Sequence, residues 1–348
     1  MTQGLPFTFF ETSGGGKVHG LPLEVFPNFW AYAYIVHQDE YCVLIDAGSG
    51  TEKSHQDLLE GLQKVGMQAM DLTHILLTHA HIDHFGGLSP LRSITQAKIG
   101  VHELDLQAVT HREAHQALIG RRFVSFLAET GLAEERREHL LSMYRFTEAI
   151  SQSVPVDFTY EALGMHLGPF EFIHLPGHCP GHVAIRLDGV VFCGDMIVEG
   201  ITPHLSPESI YPYNGLDHYL ESLSRLLYWA KNAHWILNSH DPSIADLSVQ
   251  TEATRENIRR RIGRGMDALV EPLTMDEICS AIYGSVDGYN QLLVMEKTGA
   301  YVEYLYAHGM IAITNPAEIE QGKPARYCRL REVSESELLP KERAYVLI

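Results

Sequence analysis

The chain has 348 residues, 45% of them hydrophobic, and carries 26 Lys and Arg against 44 Asp and Glu for a formal net charge of −18. It is too long for one ordinary core and too apolar to be largely disordered, and no run approaches the ~20 consecutive apolar residues of a membrane span. Residues 1–250 hold 14 Lys and Arg against 29 Asp and Glu, a balance of −15, and residues 251–348 hold 12 against 15, a balance of −3, so neither half offers the basic surface that polyanion binding rests on.

The opening Met1-Thr-Gln-Gly-Leu-Pro6 lacks the basic and apolar regions of a secretory signal. Five scattered cysteines (Cys42, Cys179, Cys193, Cys279, Cys328) without a Cys-x-x-Cys pair read as reduced thiols of a cytoplasmic protein. Residues 1–20, with Gly14-Gly-Gly16, read as a loose lead-in. Phe29 to Val36 and Tyr41 to Ile45 are aromatic and β-branched runs split by polar residues, a hairpin pattern. The second run ends at Asp46-Ala-Gly-Ser-Gly50, where Asp46 fits a turn or helix cap. Ser54 to Val65 follows as a helix with Leu58, Leu59 and Leu62 on one face.

Ile75-Leu-Leu77 is too short for a helix and reads as a buried parallel strand. It runs into Thr78-His-Ala-His-Ile-Asp-His-Phe-Gly-Gly87, which gathers four candidate ligands, His79, His81, Asp83 and His84, where open α/β sheets place their chemistry. Helical zinc motifs space histidines four apart; His79 and His81 are two apart, so this segment is predicted to be a loop or an extended segment, with Phe85-Gly-Gly-Leu88 opening the following helix. Ala97 to Val101 is a further strand. Residues 104–150 show helical spacing in two parts divided by Gly131, too long for a simple connection, and are expected to cap the site.

Phe170 to Leu175 leads into Pro176-Gly-His-Cys-Pro-Gly-His182, a rigid turn that can fix an imidazole. Val183 to Leu187 and Val190 to Cys193 form a hairpin around Asp188-Gly189 and deliver Gly194-Asp195. Met196 to His204, followed by Tyr211-Pro-Tyr213, is a loop whose His204, Tyr211 and Tyr213 are candidates for substrate contact or for packing. Leu216 to Trp229 is an amphipathic helix, and the stretch from His234 to His240 is the last strand of the fold. From about residue 248 the composition shifts: an arginine-rich connector helix from Thr251 to Val270, a capping box Thr274-Met-Asp-Glu277, a helix from Tyr289 to His308 ending at Gly309, and two strands, Met310 to Thr314 and Ala325 to Arg331.

The His-x-His-x-Asp-His spacing at 79–84 resembles the signature of the metallo-β-lactamase-fold hydrolases, in particular the glyoxalase II and lactonase-like branch. The resemblance implies an α/β fold, an αββα sandwich in residues 1–247, and a C-terminal winged-helix-like α+β domain in residues 248–348. By it, His79, His81 and His178 bind one metal, Asp83, His84 and His240 the other, and Asp195 bridges them. Asp46 supports the site from behind, and His182 makes a supporting hydrogen bond. At His240 many relatives have Gly-His-Gly, where this chain has Ser239-His240-Asp241.

Nitrogen and carboxylate donors without thiolate suit two divalent cations, zinc first, with iron or manganese as alternatives. Two such cations activate a shared water to hydroxide near neutral pH, with Asp83 and Asp195 as catalytic carboxylates. The fold hosts many reactions. The capping helices favour a small, partly hydrophobic acyl substrate: a thioester, lactone or ester. The rival readings are an iron-dependent sulfur dioxygenase-like oxidoreductase, a phosphodiesterase or nuclease, and a ligand-sensing winged-helix binding protein. The expected partner is a small molecule, with no nucleic acid and no membrane. The C-terminal part serves packing or formation of a homodimer.

Overall fold

The structure is a computed structural model that describes residues 4–148 and 151–339. Seven strands form the first sheet in sequential order: β1 (Thr8–Glu11), β2 (Lys17–Phe26), β3 (Phe29–Gln38), β4 (Tyr41–Ile45), β5 (His74–Leu76), β6 (Lys98–Val101) and β7 (Phe158–Thr159). They pair antiparallel as far as β4 and parallel from β4 onward. The second sheet is built from β8 (His166–Leu167), β9 (Phe170–His174), β10 (Val183–Leu187), β11 (Val190–Phe192) and β12 (Trp235–Leu237), with β11 and β12 parallel.

The period-two alternation of strand side chains decides the layers. Along β4, Val43 and Ile45 enter a cluster with Phe170, Val183, Ile185 and Leu187 of the other sheet, while Cys42 and Leu44 enter a different one with Leu58 and Leu62 of the helix Glu52–Lys64. On β10 the intervening Ala184 faces a third cluster beneath the helix Leu216–Trp229. Helices therefore cover the outer face of each sheet, and the fold is an αββα sandwich. Tyr160 and Phe172 stack between the sheets with ring centroids 4.1 Å apart. Burying such a ring contributes roughly 1.5–3 kcal/mol.

The lead-in expected over residues 1–20 is a correction: Thr8–Glu11 and Lys17–Phe26 are paired strands. Gly20 and Pro22 hide the alternation of β2, and Pro22 ordinarily argues against a strand. Leu21, Leu23 and Val25 are nevertheless fully buried, and they supply the reason the strand forms.

The third cluster continues into the C-terminal part. Ile258 and Ile262 of the helix Leu247–Ala268, Ile278 and Ile282 of Met275–Tyr283, and Met295, Tyr301 and Leu305 of Asn290–Ala307 share one apolar core with Tyr219 and Leu223. The box Thr274–Glu277 caps the middle helix, and β13 (Ile311–Ile313) pairs antiparallel with β14 (Tyr327–Arg329).

The helices Arg112–Glu129 and Glu134–Glu148, predicted as a cap, bury Ile119, Phe123, Phe126, Leu127 and Leu140 in this same cluster. A Cβ on Gly299 would approach the Phe126 ring to 2.6 Å, so the contact with the C-terminal helix is close. Their apolar faces are thus turned to the C-terminal part. The last two residues of the predicted cap, 149 and 150, lie outside the described residues. Among the described residues no helix is long and apolar enough to cross a membrane.

Candidate metal centre

Candidate ligands converge at the carboxyl ends of four strands, β4, β5, β11 and β12, and on the loop after β9. After β5 the chain bends at Thr78 and runs as a loop to His81, whose extended backbone opens a single helical turn, Ile82–Phe85, so that Asp83 and His84 come from a helix and His79 and His81 from the loop before it. Gly177, at φ 125°, lets the loop after β9 pass the helix Leu216–Trp229, where a Cβ would lie 2.4 Å from the Tyr219 backbone. Gly194, at φ 51°, ends β11 against His182 and Thr78, where a Cβ would sit 2.7 Å from His182 Nε2.

The structure gathers the seven residues into two adjoining groups, His79, His81 and His178 in one and Asp83, His84, Asp195 and His240 in the other. In the first, His79 Nε2 lies 3.1 Å from His81 Nδ1 and 3.2 Å from His178 Nε2. In the second, Asp195 Oδ1 is 3.4 Å from His84 Nε2, and Asp195 Oδ2 is 3.2 Å from His240 Nε2. Asp195 Oδ2 also lies 3.7 Å from His178 Nε2 and so links the groups. Asp83 Oδ2 is 3.6 Å from His84 Nε2 and 3.9 Å from His240 Nε2.

The back of each ring shows what the front is for. His84 Nδ1 donates to Asp46 Oδ2 at 2.9 Å, His178 Nδ1 to the His204 carbonyl at 2.8 Å, and His240 Nδ1 to the Trp30 carbonyl at 2.8 Å. Thr78 Oγ1 donates to Asp46 Oδ2 and is 3.0 Å from His79 Nδ1. With the proton held on Nδ1 in His79, His84, His178 and His240, their Nε2 lone pairs face inward, as ligating histidines held from behind do, whereas His81 turns Nδ1 toward His79. His84 Nε2 and Asp195 Oδ1 are buried and make no hydrogen bond. Buried polar atoms left this way are costly, and a cation satisfies both. The donor set fits divalent metal ions.

Without a cation the two groups titrate in opposite directions. Burial, then the neighbouring histidines, hold His79 well below the ordinary histidine range, and burial followed by His204 lowers His81 to about 4. Burial also depresses His84 and His240, yet Asp195 and Asp83 outweigh it, carrying His84 well above its usual value and His240 up to about 9. Asp195 is held well below the carboxylate range, burial being overcome by His240 and His84.

The supporting candidates separate. Asp46 uses one carboxylate for Thr78 N, Thr78 Oγ1 and His84 Nδ1. His182 Nε2 accepts from the Asp195 backbone N–H at 3.2 Å. His204 lies at the rim, its ring centroid 6.1 Å from that of His81. Tyr211 packs on the apolar cluster beside the helix Leu216–Trp229, and Tyr213 is 48% exposed with its ring next to His218. Asn238 Oδ1 accepts from the His240 and Asp241 backbones, which fixes the Ser239-His240-Asp241 loop without the flanking glycines.

Sequence reasoning missed Asp105. Its buried carboxylate accepts from Ala80 N at 2.9 Å and Gly181 N at 2.8 Å and joins the two ligand-bearing loops. No local pattern marks it. A third cluster, His102, Glu103 and Glu161, lies elsewhere. His102 Nδ1 accepts from Leu104 N, so its proton sits on Nε2 and the ring offers no free lone pair to a cation there.

The family model of the metallo-beta-lactamase superfamily matches residues 31–240, more than half of the chain. A probable metallo-hydrolase of Bacillus subtilis, YqjP, is 24% identical over 80% of this chain and 88% of its own length. A hydroxyacylglutathione hydrolase of Albidiferax ferrireducens is 29% identical, the match spanning 51% of each chain. Among solved structures, a metallo-beta-lactamase family protein of Thermus thermophilus, TTHA1429, superposes with a TM-score of 0.71 over 90% of this chain and 98% of its own at 22% identity. A beta-lactamase domain protein of Burkholderia ambifaria gives 0.73 over 92% and 94% at 19% identity. At these identities the structural likeness speaks for the fold.

Proposed function

The chain belongs to the metallo-beta-lactamase superfamily, and on that footing we propose that it is a hydrolase of a small acyl compound, a thioester, lactone or ester, that works with two divalent cations, zinc first. The observation that carries this reading is the pair of adjoining groups, three imidazoles on one side and two imidazoles with two carboxylates on the other, joined by Asp195. His79, His81 and His178 would hold one cation and Asp83, His84 and His240 the other, with Asp195 shared. Bound there, such ions lower the pKa of water and polarise an acyl carbonyl.

The chain's own groups have definable tasks. Asp46 holds His84 directly and His79 through Thr78, so the orientation of both rings depends on one buried carboxylate. Asp83 Oδ2 faces His84 and His240, which leaves Oδ1 to orient the attacking water and take its proton. Phe29 is 44% exposed, its ring 4.9 Å from that of His240, and gives the mouth an apolar edge suited to an acyl chain. Relatives named hydroxyacylglutathione hydrolases support an acyl substrate. We read residues 248–348 as a winged-helix-like unit used for packing or homodimer formation.

The test is elemental analysis of protein purified without chelators, then turnover of a panel of thioesters, lactones and esters beside phosphodiesters and persulfides. Two metals per chain and acyl hydrolysis are expected. Turnover of phosphodiesters alone, or oxygen uptake with a persulfide and no hydrolysis, overturns the reading.

A further inference from the structure

The loop between β11 and the helix Leu216–Trp229 carries His204 at the rim of the metal centre. Its carbonyl accepts from His178 Nδ1, and its ring lies 6.1 Å from the His81 ring and 6.5 Å from the His178 ring, centroid to centroid. From the other side the C-terminal helix Asn290–Ala307 grips the same few residues. Glu296 Oε2 is 3.2 Å from His204 Nε2 and accepts from Ser206 Oγ at 2.7 Å, while Lys297 Nζ donates to the Thr202 carbonyl at 2.8 Å. Glu296 is 5% exposed and Lys297 9%. Burying two adjacent ionisable side chains carries a desolvation cost that apolar packing avoids, and here both converge on residues 202–206.

We propose that Glu296 is a positioning residue that holds His204 as a substrate-facing group of the acyl pocket, which makes the C-terminal helix part of the active site. The Glu296 carboxylate stands in ion-pair contact with Nε2, which makes no hydrogen bond, and His204 Nδ1 is left to meet a polar atom of the substrate beside His81; no hydrogen bond among the described residues engages it. Helix packing alone does not require an imidazole at this place. The inference rests on the acyl-hydrolase reading above, and its test separates the two.

The test uses the full, metal-loaded chain with Glu296→Ala, Glu296→Gln, His204→Ala and the double alanine variant. Glu296→Ala and His204→Ala are each expected to lower kcat/KM by about tenfold, the size of a hydrogen bond to a charged group, chiefly through KM. The double variant falls no further than either single one, because Glu296 acts through His204. Glu296→Gln, whose amide oxygen stays within reach of Nε2, returns to within about threefold of wild type. Metal content stays at the wild-type value in all of them.

Independently of turnover, the ring-nitrogen signal of His204 in nitrogen-labelled protein is expected at the same shift in wild type and Glu296→Gln and displaced in Glu296→Ala. If wild type hydrolyses no acyl compound the functional reading falls, and this signal alone then decides the contact. Wild-type kcat/KM in Glu296→Ala, additive losses in the double variant, or loss of metal overturns the proposal. Should Glu296→Ala fail to fold, His204→Ala, at a partly exposed position, overturns it by retaining wild-type KM and kcat.

Discussion

Two of the places where this molecule buries ionisable groups are balanced differently. In the metal centre, His79, His81 and His178 crowd together with no acid of their own, and Asp195 leans in from the neighbouring group. Their inward lone pairs could hold a cation. On the C-terminal helix, Glu296 is matched to His204 and Ser206, and Lys297 has the Thr202 carbonyl as its hydrogen-bond acceptor. That balance is internal to the chain. The first arrangement is therefore expected to respond to chelators, and Lys297 in the second to pH.

The difference can be broken at its strongest point by Asp195→Ala. Removing the one carboxylate that links the groups is expected to lower metal content below two per chain and to cut hydrolysis by about 10³-fold or more, since the ions supply several kcal/mol of charge stabilisation. Metal analysis and turnover check it, and a folded variant with both metals and normal rates would refute the assignment of the centre.

Asp46→Asn comes next. It leaves the ligands in place but weakens the hold on His84 and His79, and a loss of about 10–100-fold in metal affinity is expected, read by competition with a chelator. Unchanged affinity would show that the orientation of these rings does not depend on Asp46.

The smallest effect concerns Lys297. Burial, then Arg261, lowers its amine to about 7 from 10.5. Between those values the unfolded chain binds the proton and the folded chain does not, so stability from this group rises with pH, by up to a few kcal/mol across the window. Lys297→Met is expected to flatten the rise in unfolding free energy between pH 7 and 9 relative to wild type. Metal content should not change. Parallel pH profiles for the two proteins would show that the amine is not held as described.

The sequence was most legible where ligands are neighbours in the chain. His79, His81, Asp83 and His84 sit in one segment, and a strand ending in a loop explains their spacing. His178, Asp195 and His240 come from separate strands, and it was the resemblance to a family that marked them. The helices Glu52–Lys64 and Leu216–Trp229 followed from apolar periodicity. The strand Lys17–Phe26 did not, because glycine and proline interrupt it and only burial against the neighbouring helix and sheet restores the pattern. In the predicted cap, periodicity revealed an apolar face and not the C-terminal helix that the face meets.

By itself, then, the sequence determined the strand-and-loop frame, the ligand types and their order, since these depend on local backbone geometry and donor chemistry. Tertiary structure decided the proton positions on the ligand rings, the Trp30 carbonyl behind His240 across 210 residues, and the approach of Glu296 to His204. A hydrogen-bond partner for a buried ring is chosen by proximity after the sheets have packed, and carbonyls and isolated carboxylates leave no periodic trace in the chain that supplies them.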